Sequence, residues 1–427
     1  MNKLFFLHLF FLFTVSAQQM PPVMSPIMIN AMQVQTVDVL CVLIAPDQQL
    51  REVAALIKQD LEFTKQLSLT ITERPKVMNA QELQKLATRY TFILFLTKQN
   101  EPDAIEWRLY DADQAAMIGG KRALYQPGLL QDWIDHIADQ IWHALMGTPG
   151  FFSTKIAYCK QVEKKSGRCT MICTRNAADC KGVTEKVLVD NAKIHIALRW
   201  NRNAQHPLLL YSECTPRNVR MCVVTAQGQK RIVSNFDGIN MQASYAPDEQ
   251  YVVVCLVRNG NSDLYKFHFD EQQHKGIYEQ LTPGDGSYFD PWWADNNRIY
   301  FSSDVLHDHE PSIGYLEPDT KKVTWITTQG FCTTPVYCGK NKKLAYLKKI
   351  DGLMQIMLFD ERTNKHTQLT KDNSSKSTCS WSGCGNYLVV AVEDQTGRRI
   401  ALCNAKSGQL YAVTGDNQIC YHPAWQG

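Results

Sequence analysis

Two kinds of hydrophobic pattern follow one another along the chain. Up to residue 150, continuous apolar runs such as 37–45 (VDVLCVLIA) alternate with stretches of helical spacing such as 51–67. The apolar runs predict buried strands, and the 3.6-residue spacing predicts amphipathic helices. Asn79 is placed to cap a further short helix. More strands are predicted at residues 68–73, 90–97 and 105–110. The pattern indicates a small α/β domain over residues 36–150.

The longest predicted helix begins at Pro127 and runs to Met146. Its apolar stripe repeats every three or four residues, at Leu130, Ile134, Ile137, Ile141 and Leu145. Gly147 is expected to end the helix, because glycine readily adopts the left-handed conformation that closes many helices. The opposite face carries a set of acidic and histidine side chains, namely Asp132, His136, Asp139 and His143. Since no HExxH zinc motif occurs, this face is predicted to be a solvated charged stripe.

After residue 150 the helical pattern gives way to a repeat. Each unit has an aromatic residue, a polar turn and an apolar strand, as in 245–254 (YAPDEQYVVV) and 381–390 (WSGCGNYLVV). The aromatic positions are 200, 245, 293, 337, 381 and 425, separated by 45, 48, 44, 44 and 44 residues. Units of about 45 residues with four strands are typical of β-propeller blades. The six aromatic positions therefore predict an all-β, six-bladed propeller over residues 151–427.

The last unit of the repeat supplies only one strand, at residues 421–425. The other strands of that blade are expected from the start of the repeat region, at residues 155–161, 169–175 and 185–189. Both ends of the domain would then close the ring, which leaves only short, protected strand edges. The same pairing would place Cys159 and Cys420 on neighbouring strands.

The first residues have the layout of a secretory signal peptide, predicted over residues 1–17. Lys3 supplies a positive charge, residues 4–15 form an apolar run, and Ser16 and Ala17 offer small side chains at a cleavage site. An uncleaved anchor is the weaker alternative, because the run is shorter than the ~18 residues of a membrane span. Residues 18–35 are rich in Pro, Met and Gln and predict a flexible arm. The mature chain is expected to be exported, with no membrane span.

Charge and cysteine content narrow the classes of function. The chain has 45 basic and 42 acidic side chains, whereas a nucleic-acid-binding domain usually carries a strongly basic patch, so no nucleic acid is expected as a partner. Fourteen cysteines, an even number, favour disulfides in an exported protein, with Cys332/Cys338 and Cys379/Cys384 as close pairs. Inert core thiols are the alternative. A zinc site is disfavoured because no CxxC pair occurs.

Three local motifs and the order of the parts carry a family resemblance. Residues 137–159 (IADQIWHALMGTPGFFSTKIAYC) join the long helix to the repeats, Pro291-Trp292-Trp293 opens a repeat unit, and His422-Pro423-Ala424-Trp425 ends the last one. With a signal peptide, an α/β domain and a propeller, they resemble TolB of the Tol–Pal cell-envelope system. The resemblance covers nearly the whole mature chain. The cysteine count and the replacement of Asp-Gly at most blade turns depart from the family pattern.

The resemblance implies a non-enzymatic periplasmic scaffold. Such a protein binds Pal, the peptidoglycan-associated lipoprotein, at one mouth of the propeller. It reaches TolA, an inner-membrane-anchored partner, through an N-terminal arm, which is residues 18–35 here. The implied role is to link the envelope layers during cell-division constriction and to maintain outer-membrane integrity. The resemblance implies no cofactor, no metal and no catalytic residue, and a monomer is expected.

Propeller geometry singles out a candidate partner-binding site. Loops entering the innermost strands ring one face, so the residues three positions before the aromatics should converge on a funnel: Ala197, Gln242, Asp290, Thr334, Thr378 and His422. Such short polar groups suit a protein loop better than an apolar cofactor. In the family, an acidic residue before the third-blade proline contributes to Pal binding, and the resemblance assigns this role to Asp290. Beside it, Tyr288 and Phe289 are candidate aromatic anchors. A turn-capping role for Asp290 is the alternative.

Other functions are weaker alternatives. A hydrolase or lactonase working in the propeller channel should hold convergent carboxylates and calcium, whereas the predicted ring has one acid, Asp290. No GxSxG motif occurs, which disfavours a serine hydrolase. Residues 307–310 (HDHE) are the most metal-like cluster, but they fall in a predicted hairpin loop, where solvated charge is expected. An outer-membrane protein assembly scaffold is the other non-enzymatic alternative.

Overall fold

The computed structural model describes residues 36–99, 103–124, 129–165, 167–235, 238–258, 260–268, 278–295 and 297–426. The predicted signal peptide and the arm lie outside these residues. Within them, the fold is a β-propeller preceded by an N-terminal domain, and most elements are strands. No helix in the described part of the chain is long and apolar enough to cross a membrane.

The N-terminal domain contains a five-stranded mixed sheet in the order β2-β1-β3-β4-β5. Its strands are β1 (Val37–Ile44), β2 (Leu67–Arg74), β3 (Phe92–Gln99), β4 (Ala104–Asp111) and β5 (Ala116–Leu124), and its helices are α1 (Gln48–Glu62), α2 (Ala80–Gln84) and α3 (Leu130–Met146). β1 runs parallel to β2 and β3, and the later pairs are antiparallel. The sequence pattern missed β5, because this edge strand is exposed along nearly its whole length and shows no buried period.

The helix ends follow from local hydrogen bonds. The side chain of Asp47 accepts from the backbone N–H of Leu50 at 2.8 Å, so α1 begins earlier than the spacing alone predicted. Asn79 forms a capping box with Glu82 at the start of α2, which confirms the predicted cap. Gly147 has φ 67° and ends α3 as predicted.

The polar face of α3 packs against the start of the propeller. Asp139 accepts from the backbone N–H of Phe152 at 2.8 Å, and Asp132 forms an ion pair with Lys155 at 2.6 Å. The predicted solvated stripe is therefore wrong for the two aspartates, because both carboxylates fix the junction between the domains. His136 and His143 on the same face are exposed.

An aromatic cluster completes this junction. The ring of Phe151 lies 5.8 Å from Trp142 of α3, 4.6 Å from Tyr387 and 6.2 Å from Trp425, measured between ring centres. The indole N–H of Trp425 donates to the hydroxyl of Thr154 at 2.9 Å. The N-terminal domain is thus packed on the region where the two ends of the propeller meet.

The propeller strands follow without a further helix among the described residues. They are β6 (Lys155–Lys164), β7 (Gly167–Asn176), β8 (Lys186–Trp200), β9 (Leu208–Cys214), β10 (Val219–Thr225), β11 (Lys230–Ser234), β12 (Ile239–Tyr245), β13 (Tyr251–Arg258), β14 (Asn261–His268), β15 (Glu279–Gln280), β16 (Tyr288–Asp295), β17 (Arg298–Ser303), β18 (Ser312–Leu316), β19 (Val323–Trp325), β20 (Cys332–Cys338), β21 (Lys343–Ile350), β22 (Leu353–Asp360), β23 (Lys365–Gln368), β24 (Ser375–Trp381), β25 (Tyr387–Asp394), β26 (Gly397–Asn404), β27 (Leu410–Ala412) and β28 (Cys420–Trp425).

Strand pairing divides the propeller into distinct sheets. β16–β19, β20–β23 and β24–β27 form three separate four-stranded antiparallel sheets. The remaining strands join in one eleven-stranded sheet, partly because β8 is long enough to pair with β7 in its first part and with β9 in its second. At the end of this sheet β28 pairs antiparallel with β6, so the last strand of the chain joins the first strand of the propeller.

All fourteen cysteines are unpaired, and the expected disulfides are wrong. Cys332 and Cys338 begin and end the same strand, β20, which separates them by ~20 Å at the usual rise per residue. Cys159 and Cys420 do lie on neighbouring strands, but Cys159 is opposite Tyr421 and Cys420 is opposite Lys160. Most of the thiols are buried side chains within strands and act as small core residues.

Candidate functional site: the central cavity

The six residues predicted to converge do line one cavity. Ala197, Gln242, Asp290, Thr334, Thr378 and His422 surround a space of about 60 Å³. They lie on six strands, β8, β12, β16, β20, β24 and β28, and we call these residues the ring. All six side chains are half-buried.

A repeated backbone irregularity lies at the ring. Each of the six strands shifts register against its neighbour at the ring position, as a β-bulge does. Five ring residues have a left-handed backbone, with φ 56° at Ala197, 53° at Gln242, 51° at Asp290, 56° at Thr334 and 51° at His422. Non-glycine residues rarely adopt this conformation, and such strain concentrates at binding sites. The bulges re-aim these side chains towards the shared cavity.

Three consecutive ring residues form a closed hydrogen-bond network. The backbone N–H of Asp290 donates to Oε1 of Gln242 at 3.1 Å, while Nε2 of Gln242 donates to Oδ1 of Asp290. Thr334 donates to Oδ2 of Asp290 through its backbone N–H at 3.2 Å and its hydroxyl at 3.3 Å. Both oxygens of the Asp290 carboxylate therefore have donors. We call Gln242, Asp290 and Thr334 the bonded half of the ring.

Two effects act on the pKa of Asp290 in opposite directions. Withdrawal from bulk water raises the pKa of Asp290, while the hydrogen bonds from Thr334 and the positive charge of Arg199 lower it. The net direction is upwards. A carboxylate held in this way is a fixed polar group of the ring and does not act as a solvated surface charge.

The opposite side of the cavity has polar atoms without partners. Within the described residues, Oγ1 of Thr378, Nδ1 of His422 and Nε of Arg199 are buried and make no hydrogen bond. Burial lowers the pKa of His422 to about 4, so its imidazole is neutral near pH 7. We call Thr378 and His422 of the ring, together with Arg199 of the same cavity lining, the open half of the ring.

Arg199 is the cation of the open half. It lies two residues after Ala197 on β8 and lines the same cavity. Its guanidinium carbon lies 4.0 Å from the centre of the Trp292 ring, a cation–π contact. Burial lowers the pKa of Arg199 to about 10, and the side chain remains charged at neutral pH. Arg199 was not among the site residues predicted from the sequence, although a charged residue inside an innermost strand was a signal that could have revealed it.

Two predicted site residues lie elsewhere. Tyr288 is 2% exposed, and its hydroxyl donates to Asp285 at 2.8 Å, so it is a core residue of its sheet and the prediction that it anchors a partner is wrong. Phe289 is half-buried and packs against the same core, outside the cavity lining. Alternation along β16 accounts for Phe289, which is next to the ring position, and the register shift between Phe289 and Trp292 separates Tyr288 from the face of Asp290.

The arrangement is suited to binding. Among the ring residues Asp290 is the single carboxylate. In the metal-like cluster, Asp308 and His309 are highly exposed, and Nε2 of His307 lies 2.9 Å from the carbonyl oxygen of Thr328. The described residues contain no group of three or more His, Cys, Asp or Glu arranged to hold a metal.

Comparison with known proteins identifies the family. A family model described as the TolB beta propeller domain matches residues 142–427, which include every strand of the propeller. The chain belongs to the TolB β-propeller domain family. This confirms the resemblance seen in the sequence motifs, and the matched region contains the whole ring.

Two relatives of this chain are both named Tol-Pal system protein TolB. The chain is 29% identical over 136 residues to the Tol-Pal system protein TolB of Chromobacterium violaceum, and 25% identical over 162 residues to that of Gluconobacter oxydans. These alignments cover 32% and 38% of this chain and 30% and 35% of the relatives, about a third of their length.

A solved structure shares the fold over almost the whole chain. The crystal structure of TolB from Acinetobacter baumannii matches with a TM-score of 0.76 at 19% identity. The match covers 92% of this chain and 97% of that one, so it includes the N-terminal domain as well as the propeller. At this identity the match shows the fold alone.

Proposed function

We propose that this TolB-family chain is a non-enzymatic periplasmic scaffold of the Tol–Pal system, with the ring as its docking site for a Pal-like lipoprotein. The observation that carries the proposal is the convergence of six strands, each with a bulge, on one cavity with polar side chains in its lining. Strained backbone is costly, and its repetition at one place supports a binding role. The predicted signal peptide supports export to the periplasm.

We also infer that the propeller spans residues 151–427 and has six blades, after an α/β domain at residues 36–150. Three blades correspond to the separate four-stranded sheets, and three are joined within the eleven-stranded sheet. In this interpretation β28, β6, β7 and the first part of β8 make the closing blade. The count of innermost strands at the ring supports six.

The second proposed partner is a TolA-like inner-membrane protein, bound through residues 18–35. This part of the proposal rests on the family resemblance and on the Pro- and Met-rich composition of the segment. A segment that orders on binding pays an entropy cost, which suits regulated association. By binding the Pal-like lipoprotein and the TolA-like inner-membrane protein, the chain would link the envelope layers during cell-division constriction and maintain outer-membrane integrity.

Site-specific photo-crosslinking tests the docking face. Thr378 is a suitable position, because its hydroxyl has no partner and its replacement breaks no hydrogen bond of the bonded half. Thr320 is the matched control, since it is exposed in the turn between the two outer strands β18 and β19. A photoreactive residue at 378 should capture the Pal-like lipoprotein of the same cell, identified by mass spectrometry, and one at 320 should not. Equal capture at both positions, or none at 378, would refute the ring as the docking site.

Deletion of residues 18–35 tests the arm separately. The shortened chain should lose binding to the TolA-like protein and keep binding to the Pal-like protein, measured by calorimetry with each purified periplasmic domain. Unchanged binding to the TolA-like domain would contradict the assignment of the arm.

A further inference from the structure

The cavity holds a cation that has no directly bonded anion. Arg199 forms neither a hydrogen bond nor an ion pair with any described residue, and its Nε is buried. The nearest carboxylate in electrostatic contact is that of Asp290, whose two oxygens are engaged by Gln242 and Thr334. A half-buried charge that lacks a direct ion pair is unfavourable, which is why such charges usually have a bonded partner.

The unpartnered atoms come from neighbouring strands. Thr378 lies on β24, His422 on β28 and Arg199 on β8, and β28 contacts both of the other two strands. Thr378 and His422 therefore leave polar atoms without partners at a cavity that Arg199 also lines, while the bonded half is saturated. Buried polar groups in native proteins are nearly always hydrogen-bonded, so a shared unsatisfied set points to a ligand.

We propose that the open half of the ring binds a single carboxylate group, with Arg199 as its ion-pair partner and Thr378 and His422 as hydrogen-bond donors. This inference holds whatever protein docks on the ring. The guanidinium group matches the geometry of a carboxylate, and a threonine hydroxyl and a neutral imidazole each have one N–H or O–H to donate.

Size, lining and charge favour a carboxylate over other ligands. The cavity of about 60 Å³ has room for one carboxyl group, and Leu198 and Pro423 line it with apolar surface for a short aliphatic stem. The carboxylate of Asp290 in the same ring disfavours a dianion such as phosphate. The positive charge of Arg199 disfavours a metal ion.

The carboxylate can come from a free small acid or from an acidic side chain of a protein. Two probes distinguish these sources: acetate, and the tripeptide Gly-Glu-Gly with both ends blocked. The blocked tripeptide Gly-Gln-Gly is the neutral match. Binding is measured with the full mature chain by ligand-observed NMR, from the change in the acetate or peptide signals at constant ionic strength, so the readout is the same in every variant.

Wild-type protein should bind acetate saturably, and Arg199→Gln should weaken this binding at least tenfold. Arg202→Gln is the matched control and should not change it, because that guanidinium donates to the backbone carbonyls of Trp293 and Ala294 outside this cavity. If only Gly-Glu-Gly binds, the site takes a protein side chain. If acetate binds as well, it also accepts a free acid.

Thr378→Val keeps the test decisive if Arg199→Gln does not fold. This variant preserves side-chain shape and removes only the unpartnered hydroxyl, and it should weaken carboxylate binding about threefold or more. The proposal is overturned if folded wild-type protein binds neither acetate nor Gly-Glu-Gly, if Gly-Gln-Gly binds equally well, or if both ring variants bind as wild type does. None of these outcomes bears on docking of the Pal-like protein, which is measured separately.

Discussion

The two halves of the ring differ in their hydrogen bonding although the backbone is nearly the same in both. In the bonded half, Gln242, Asp290 and Thr334 satisfy one another. In the open half, Thr378 and His422 occupy the equivalent positions of other strands and leave polar atoms without partners. The repeat determines where the ring positions lie. The identity of the side chain at each position determines whether it stabilises the propeller or is available to a ligand.

Asp290 has two roles, one in the stability of the propeller and one at the proposed docking face. Its hydrogen bonds join three neighbouring innermost strands, so it is a structural residue of the propeller. It also lies at the cavity, half-buried, and is part of the proposed docking face. A loss of partner binding in an Asp290 variant must therefore be separated from a loss of folding.

The largest expected effect is that of Asp290→Asn. The amide cannot accept all the donors of the bonded half, and Arg199 loses its compensating charge, so we expect the free energy of unfolding to fall by about 2–4 kcal/mol. Urea unfolding monitored by tryptophan fluorescence measures this. Asp295→Asn on the same strand is the control and should cost less than ~1 kcal/mol, because its ion pair with Arg298 is partly exposed. An equal loss in both variants would contradict the structural role of the bonded half.

The next effect is a pH dependence that comes from the open half. Burial, followed by the charge of Arg398, lowers the pKa of His422 to about 4, below its unfolded value of about 6.5. Between these values the unfolded chain binds more protons than the folded one, so stability is present above pH ~6.5 and is lost as the pH falls towards ~4.

Urea unfolding at pH 7.5 and at pH 4.5 measures this contribution. His422→Gln should remove about 1–2 kcal/mol of the wild-type loss of stability between the two pH values. His136→Gln, on the exposed face of α3, should leave the pH profile as it is in wild type. The same profile in His422→Gln and wild type would show that the imidazole is not buried in the cavity.

A matched pair of threonine variants compares the halves directly. Thr334→Val removes a hydroxyl that donates to Asp290 and should lower the free energy of unfolding by about 1–1.5 kcal/mol. Thr378→Val removes a hydroxyl without a partner and should change stability by less than ~0.5 kcal/mol. Thermal and urea unfolding of both variants measure these changes. A larger loss of unfolding free energy in Thr378→Val than in Thr334→Val would contradict the difference between the two halves.

The smallest effect concerns the backbone of the ring. Ala197 has φ 56°, a conformation that glycine adopts without steric cost, so Ala197→Gly should be neutral or stabilise by up to ~1 kcal/mol. Ala401→Gly in the middle of β26 should instead destabilise, as glycine usually does inside a strand. Destabilisation of both variants to the same extent would indicate that the bulge at Ala197 is not strained.

Regular spacing made much of the fold predictable from sequence. The aromatic repeat predicted the ring positions, and all six line the cavity, because each repeat places its turn and innermost strand in the same way. Strand β1 and the caps at Asn79 and Gly147 were predicted from local chemistry alone. These features depend on short stretches of chain.

The rest depends on contacts between distant segments. Asp139 and Asp132 were expected in solvent because the pattern of α3 does not reveal that the propeller covers that face. Tyr288 was expected at the surface, but it is buried in the core of its sheet, and the register shift at Asp290 is not visible in the sequence pattern. The hydrogen bonds between Gln242, Asp290 and Thr334 link residues more than forty positions apart, and no local pattern predicts them.

Calorimetric titration of the mature chain with the Pal-like lipoprotein domain of the same cell tests the central claim most directly. The account predicts saturable binding by wild type, a loss of tenfold or more in Asp290→Ala at a temperature where that variant is folded, and no change in Asp295→Asn. Absence of binding by folded wild-type protein, or equal affinity in all three proteins, would contradict the ring as the docking site of a Tol–Pal scaffold.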